Sequence, residues 1–208
     1  LVVNKNNPEA MAVKSIFDLA DPKWKGRVGL TTATNESFVA GATVYLEAAG
    51  KERVVSWLKG LKANVGSEVF PKHGNVVSAV AEGRKDIGLV NHYYIFRHLD
   101  KTPTAPIAII MPDQGQDGMG VAWNVAGAAI SKYTRHAAAA EKLMEFLVSE
   151  EGQKMFAEVN DEYPTRTGVA ASSKVPARDS FKIANVALSK LGEQRDATLN
   201  LLEQASMP

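Results

Sequence analysis

Apolar positions recur at helical spacing along several stretches of the chain and close into short unbroken runs elsewhere. Phe38, Ala42, Tyr45, Leu46 and Ala49 share one helical face, with Gly50 where a C-terminal glycine belongs. Val54, Val55, Leu58 and Leu61 predict a second amphipathic helix ending in the region 60–64, its Trp57 turned to the core. Val76, Val77 and Val80 predict a short helix capped by Asn75 and closed by Gly83. Further on, residues 137–148 carry Ala140, Leu143, Met144 and Leu147 on one face, and residues 150–159 carry Met155, Phe156 and Val159. Residues 180–204 read as largely helical with a kink near Gly192, and Ser15 caps a short helix over 16–19. Short apolar runs bounded by turn residues read as strands over 1–4, 27–31, 87–90, 107–110 and 121–123. Strands alternating with helices in this way predict an α/β lobe with a largely parallel sheet.

Candidate chemistry collects where two of these strands end. The run Ile87-Gly88-Leu89-Val90 leads into Asn91-His92-Tyr93-Tyr94, and ligands in open α/β sheets gather at such carboxyl ends. Phenolate is a hard anionic oxygen donor, suited to a hard trivalent cation. Taken alone, the pair also fits half-buried aromatics with wet hydroxyls. The strand over 27–31 is followed by the polar run Thr32-Ala33-Thr34-Asn35-Glu36-Ser37, which opens a helix. Free N–H groups and the helix dipole make that start a candidate anion site, with plain helix capping as the competing reading.

Composition narrows the function classes. With 24 Lys+Arg against 23 Asp+Glu, a formal charge of +1 and no long basic run, nucleic acid is not an expected partner. No apolar stretch approaches the ~20 residues of a membrane-spanning helix. Absence of cysteine excludes disulfides, thiolate metal sites and cysteine nucleophiles. His73, His92, His98 and His136 form no zinc-binding pair at helical spacing, and no Gly-x-Ser-x-Gly elbow or phosphate-cradling loop occurs. Nothing in the chain points to catalysis. It opens on Leu1 inside an apparent strand, without initiator Met or signal peptide, so a fragment of a longer protein is expected.

Four stretches, residues 21–29 (Asp-Pro-Lys-Trp-Lys-Gly-Arg-Val-Gly), Trp57-Leu58-Lys59-Gly60-Leu61, Val90-Asn91-His92-Tyr93-Tyr94 and residues 146–153 (Phe-Leu-Val-Ser-Glu-Glu-Gly-Gln), together resemble the bacterial ferric-ion-binding proteins. These are extracytoplasmic receptors of ABC-type iron importers. The first and last stretches are shared with receptors for other solutes, whereas the paired tyrosines after Val-Asn specify iron. The resemblance implies an α/β fold of the periplasmic-binding-protein-like type II, here one complete α/β lobe plus part of the second. Residues 1–120 and 175–208 would build the tyrosine-bearing lobe, and residues 121–174 the remaining part of the other.

On that resemblance Tyr93 and Tyr94 would be phenolate ligands of Fe(III) in an interlobe cleft. A synergistic anion, carbonate or phosphate, would meet Ser37, Phe38, Asn75 and Asn91, of which Asn91 is matched by motif and the others by placement. A phenol of ordinary pKa, about 10, needs the metal to drive off its proton, so binding should weaken as pH falls. The partners implied are a membrane permease of the ABC transporter and the missing N-terminal lobe portion or a second chain. The location implied is periplasmic or otherwise extracytoplasmic, with or without a lipid anchor in the parent protein. Without partner strands, the helix faces around Leu143, Met144 and Leu147 would be exposed. Alternative readings are a receptor for phosphate, thiamine or a polyamine, and the effector-binding module of a LysR-type regulator.

Overall fold

The computed structural model describes residues 1–208, which divide into two compact units, Leu1–Asn124 with Phe181–Pro208, and Val125–Ser180. No helix is long and apolar enough to cross a membrane.

The larger unit is built on four short strands, β1 (Val2–Asn4), β2 (Val28–Gly29), β3 (Ile87–Gly88) and β4 (Ile107–Ile109), in the spatial order β2-β3-β1-β4. Its helices are α1 (Pro8–Met11), α2 (Glu36–Ala49), α3 (Lys51–Val65), α4 (His73–Ala81), α5 (Tyr93–Lys101), α8 (Ser189–Glu193) and α9 (Arg195–Gln204). α6 (Ala137–Leu147) and α7 (Glu150–Asn160) belong to the smaller unit.

The sheet departs from the largely parallel arrangement the pattern predicts. β2 and β3 pair in parallel through Val28↔Ile87 and Gly29↔Gly88, but β1 is antiparallel to both β3 and β4. Hence β2, β3 and β4, the strands joined by helical crossovers, run one way and β1 alone runs the other. A crossover dictates the direction only of the strands it joins, and β1 precedes the first of them.

Glycines set how closely the helices approach. A Cβ on Gly88 would stand 2.5 Å from Val76 Cγ1 and 2.8 Å from Val2 Cγ1, so the bare backbone lets α4 seat on the sheet. Gly60 does not end α3 as its position predicts. It lies inside the helix against Ala20, whose Cβ would be 2.6 Å from an added methyl, and the helix instead runs to Val65 and stops at Gly66, φ +71°. α3 thereby reaches the 3₁₀ turn Ile16–Ala20, where Trp57 Nε1–H donates to the Ile16 carbonyl at 2.9 Å and Asn64 Nδ2 to that of Leu19 at 2.8 Å. Ser15 caps this turn, as expected, and Asp113 accepts from both Ser15 Oγ and the Ile16 N–H.

Two more expectations are corrected. Residues 181–188 are not helical: the Ile183 segment instead bridges Val121, with Val121 N–H donating to Lys182 O and Ala184 N–H to Val121 O. The helical break falls at Gln194, near Gly192 as expected, whereas residues 121–123 contribute that single bridge instead of a strand. Tertiary pairing here outweighs local propensity. α9 is tied to α2 by a buried hydroxyl pair, Thr43 Oγ1 and Thr198 Oγ1, at 2.8 Å.

In the smaller unit Ser149 caps α7 by accepting the Gly152 N–H, and Asp161, with φ 56°, closes it. Buried Gln153 spans the turn, donating to Leu147 O and accepting from the Thr165 N–H. α6 buries none of its residues: Leu143 is 56% exposed, and Val159 on α7 is 78% exposed.

Candidate functional site

β2 and β3, side by side and parallel, deliver two chain segments to one edge of the sheet. After β2 the chain passes Thr31 and enters α2, whose N-cap is Asn35, and after β3 it passes Asn91 and enters α5 at Tyr93. α4, seated over Gly88, brings its first residue, His73, between them. The polar groups at these three helix starts form one hydrogen-bonded chain.

Asn91 is its centre. Its Nδ2 donates to Ser37 Oγ at 3.0 Å and to the Tyr93 phenol oxygen at 2.9 Å, while its backbone N–H donates to His73 Nδ1 at 3.0 Å. The Tyr93 and Tyr94 rings, both half-buried, lie 4.7 Å apart between centroids, and Tyr94 stacks on His73 at 5.1 Å with the planes 19° apart. The Arg97 guanidinium, one turn along α5, sits 5.5 Å from the Tyr93 ring and 5.3 Å from that of Tyr94.

A cleft of about 110 Å³ opens beside this chain, with Thr31, Ser37, His73 and Asn91 on its polar side and Leu30, Phe38, Val44, Tyr45 and Leu89 among its apolar walls. Neither paired phenol lines it; Tyr93 is linked to it through Asn91, and Tyr94 through His73. Burial, with the Asp113 carboxylate adding to it, pushes the Tyr45 phenol far above its ordinary value, so this third tyrosine stays protonated. No group of three or more His, Cys, Asp or Glu side chains is placed to share a metal ion.

The start of α2 is already occupied by its own cap. Asn35 Oδ1 accepts the Ser37 N–H at 3.0 Å, and the Asn35 carbonyl accepts the Phe38 N–H at 2.9 Å. An anion using the Ser37 N–H must displace the Asn35 carboxamide oxygen. Glu36, next in line, is ion-paired with Arg195 at 2.6 Å, and that hydrogen bond holds its carboxyl below the usual carboxylate range. Asn75 is not the cap of α4: Lys72 is the N-cap residue, the Asn75 N–H donates to Lys72 O, and Asn75 is exposed, outside the Ser37–Asn91–Tyr93 chain. Ser37, Asn91 and Tyr93 are thus brought together, with Tyr94 and Phe38 alongside.

His73 and Asn35 enter the network without having been singled out from the sequence. Asn35 carries a signal there, a helix-capping residue ahead of Ser37; His73 carries none, since its partners lie 18 and 38 residues away. Desolvation lowers the His73 pKa below the ordinary 6.5. The unfolded chain then takes up a proton that the folded one resists. Stability is full above about pH 6.5 and is lost as pH falls from there through the folded value. The urea midpoint is expected to drop between pH 7.5 and 5.5, and to drop less in His73→Gln; equal slopes in both proteins would remove His73 as the cause.

The sequence profile of the bacterial extracellular solute-binding proteins matches residues 1–182. The chain is similar to iron uptake protein A1 of Synechocystis, 32% identical over 214 residues, covering 99% of this chain and 58% of that protein. It is also similar to the major ferric iron-binding protein of Neisseria meningitidis, 28% identical over 194 residues, covering 93% of this chain and 57% of that protein. The chain thus spans a little under three-fifths of these curated relatives. Among solved structures it superposes on the ferric binding protein from Campylobacter jejuni with a TM-score of 0.87 at 27% identity, over 100% of this chain and 67% of that one. On the Trichodesmium protein in complex with iron and citrate the TM-score is 0.82 at 28% identity, again over 100% and 67%. The architecture is that of type II periplasmic binding proteins. With its profile matched over most of its length, the chain belongs to the bacterial extracellular solute-binding protein family.

Proposed function

We propose that this protein is a ferric-ion receptor of an ABC importer, with Fe(III) as cargo and Tyr93 and Tyr94 as its phenolate ligands. The observation that carries this reading is the chain of hydrogen bonds from Ser37 through Asn91 to the Tyr93 oxygen, which couples a helix start to a pair of adjacent phenols. A synergistic anion, carbonate or phosphate, binds at Ser37, Phe38, Asn75 and Asn91. Residues 1–120 and 175–208 form the tyrosine-bearing lobe. The names of the relatives, an iron uptake protein and ferric iron-binding proteins, support the choice of cargo. The receptor carries out no enzymatic step, works in the periplasm or outside the cytoplasmic membrane, lipid-anchored or free, and hands its cargo to the membrane permease.

Adding Fe(III) as a weak chelate, with bicarbonate or phosphate, is expected to raise a visible tyrosinate-to-iron charge-transfer band. No band, together with a thermal shift produced by phosphate, thiamine or a polyamine, would replace ferric ion by that solute.

A further inference from the structure

His73 is not among the proposed ligands, yet its imidazole touches three separate parts of the site. It opens α4, where Lys72 supplies no side-chain cap, and is only 7% exposed. Nδ1 accepts the Asn91 N–H at 3.0 Å, so this nitrogen carries the lone pair and the proton of the neutral ring resides on Nε2. Nε2 lies 3.3 Å from Asn35 Oδ1, the oxygen that caps α2 at Ser37. The ring face meanwhile covers Tyr94.

We infer that His73 is the positioning residue of this site, setting Asn91 and Tyr94 against the α2 start at Asn35 and Ser37. Its part is to fix the groups proposed to meet cargo and anion. Two directed nitrogens and one ring face, carried at the start of α4, act on the two segments that follow β2 and β3. Without them, the α2 start and the Asn91 segment are joined only through the Asn91 side chain, whose Nδ2 donates to Ser37 Oγ, and the Asn91 backbone N–H loses its acceptor. A histidine that merely filled space would need only its ring volume, which phenylalanine supplies. Glutamine instead keeps an acceptor and a donor about as far apart as the two imidazole nitrogens, and discards the ring. The two replacements therefore separate direction from volume.

The inference rests on the ferric reading for its binding readout, so the test has an arm without iron. In the 208-residue chain, Fe(III) added as its nitrilotriacetate with bicarbonate would be titrated into the wild type, His73→Phe and His73→Gln. Asn91 amide hydrogen exchange would be measured in the iron-free proteins. Loss of a buried hydrogen bond predicts that His73→Phe weakens Fe(III) binding about tenfold or more and speeds Asn91 exchange by about as much, and that His73→Gln restores both to within about threefold. Binding by His73→Phe within about twofold of wild type, or a His73→Gln variant no better than His73→Phe, would overturn it. If the wild type binds no iron, the ferric reading falls and the exchange arm alone decides, unchanged Asn91 exchange in His73→Phe overturning the inference. Should His73→Phe not fold, imidazole ¹⁵N shifts of the wild type decide: a bare Nδ1 and protonated Nε2 are expected, and a protonated Nδ1 overturns it.

Discussion

Replacing Tyr93 and Tyr94 together by phenylalanine is expected to abolish the visible band and to lower Fe(III) affinity by about 100-fold or more, while leaving the fold intact. On the proposed assignment, two anionic oxygen donors are removed from a hard cation. Each tenfold in affinity is about 1.4 kcal/mol, a small demand on two metal–oxygen bonds. Stability should change little, because both rings are half-buried and phenylalanine keeps their contacts with His73 and His92. The cost includes the hydrogen bond from Asn91 Nδ2, about 1 kcal/mol. In the wild type the band should fade as pH falls, since protons compete with iron for the phenolates. Equilibrium titration against a competing chelator measures the loss, and a double variant that binds as tightly as wild type would end the ferric assignment.

Trp57→Ala is expected to cost about 3–5 kcal/mol, the range for emptying a buried aromatic site. The indole is 2% exposed and is enclosed by Tyr45 at 5.4 Å, Phe17 at 6.1 Å and Phe38 at 6.2 Å between ring centroids. Its N–H donates to the Ile16 carbonyl, a buried hydrogen bond that the alanine would lose. Against a total stability of about 5–15 kcal/mol, this single change removes a large share. It should also loosen the cleft, because Phe38 and Tyr45 are two of its walls. Urea unfolding reads the loss directly; a value under about 1 kcal/mol would mean that the aromatic cluster does not pack as described.

The amphipathic helices were legible because each buries one face, and the faces of α2 and α3 fell where periodicity put them, Phe38, Ala42, Tyr45, Val54, Leu58 and Leu61 all being buried. What could not be read were features decided by a partner far along the chain. Gly60 looks like a terminator until Ala20 is seen against it. Residues 181–188 look helical until Val121 pairs with Ile183. β1 carries no mark of its direction, since its partners β3 and β4 lie far along the chain. At the site, the adjacent tyrosines and Asn91 stood out by motif, and the helix start at Ser37 by its polar run. Their linkage through His73 did not, because a lone buried histidine looks alike whether it fills space or aims two nitrogens.

The reversed strand in the middle of the sheet has a consequence for synthesis. Leu1 exchanges hydrogen bonds with Ile110, a separation of 109 residues, and Val2 and Val3 lie between β3 and β4. A ribosome adding ~5–20 residues per second needs roughly 5–20 s to make the chain that completes this pairing. By then the 3₁₀ turn, α2 and α3, whose contacts are nearer in sequence, have long emerged. The helical layer can therefore form around Trp57 first, while two valines among the most buried in the protein wait without their covering strands. Closing the sheet, and with it aligning the strand ends that carry Asn91 and Ser37, thus follows the helical layer, and the segment from Phe181 onward, with α9 docking on α2, comes later still.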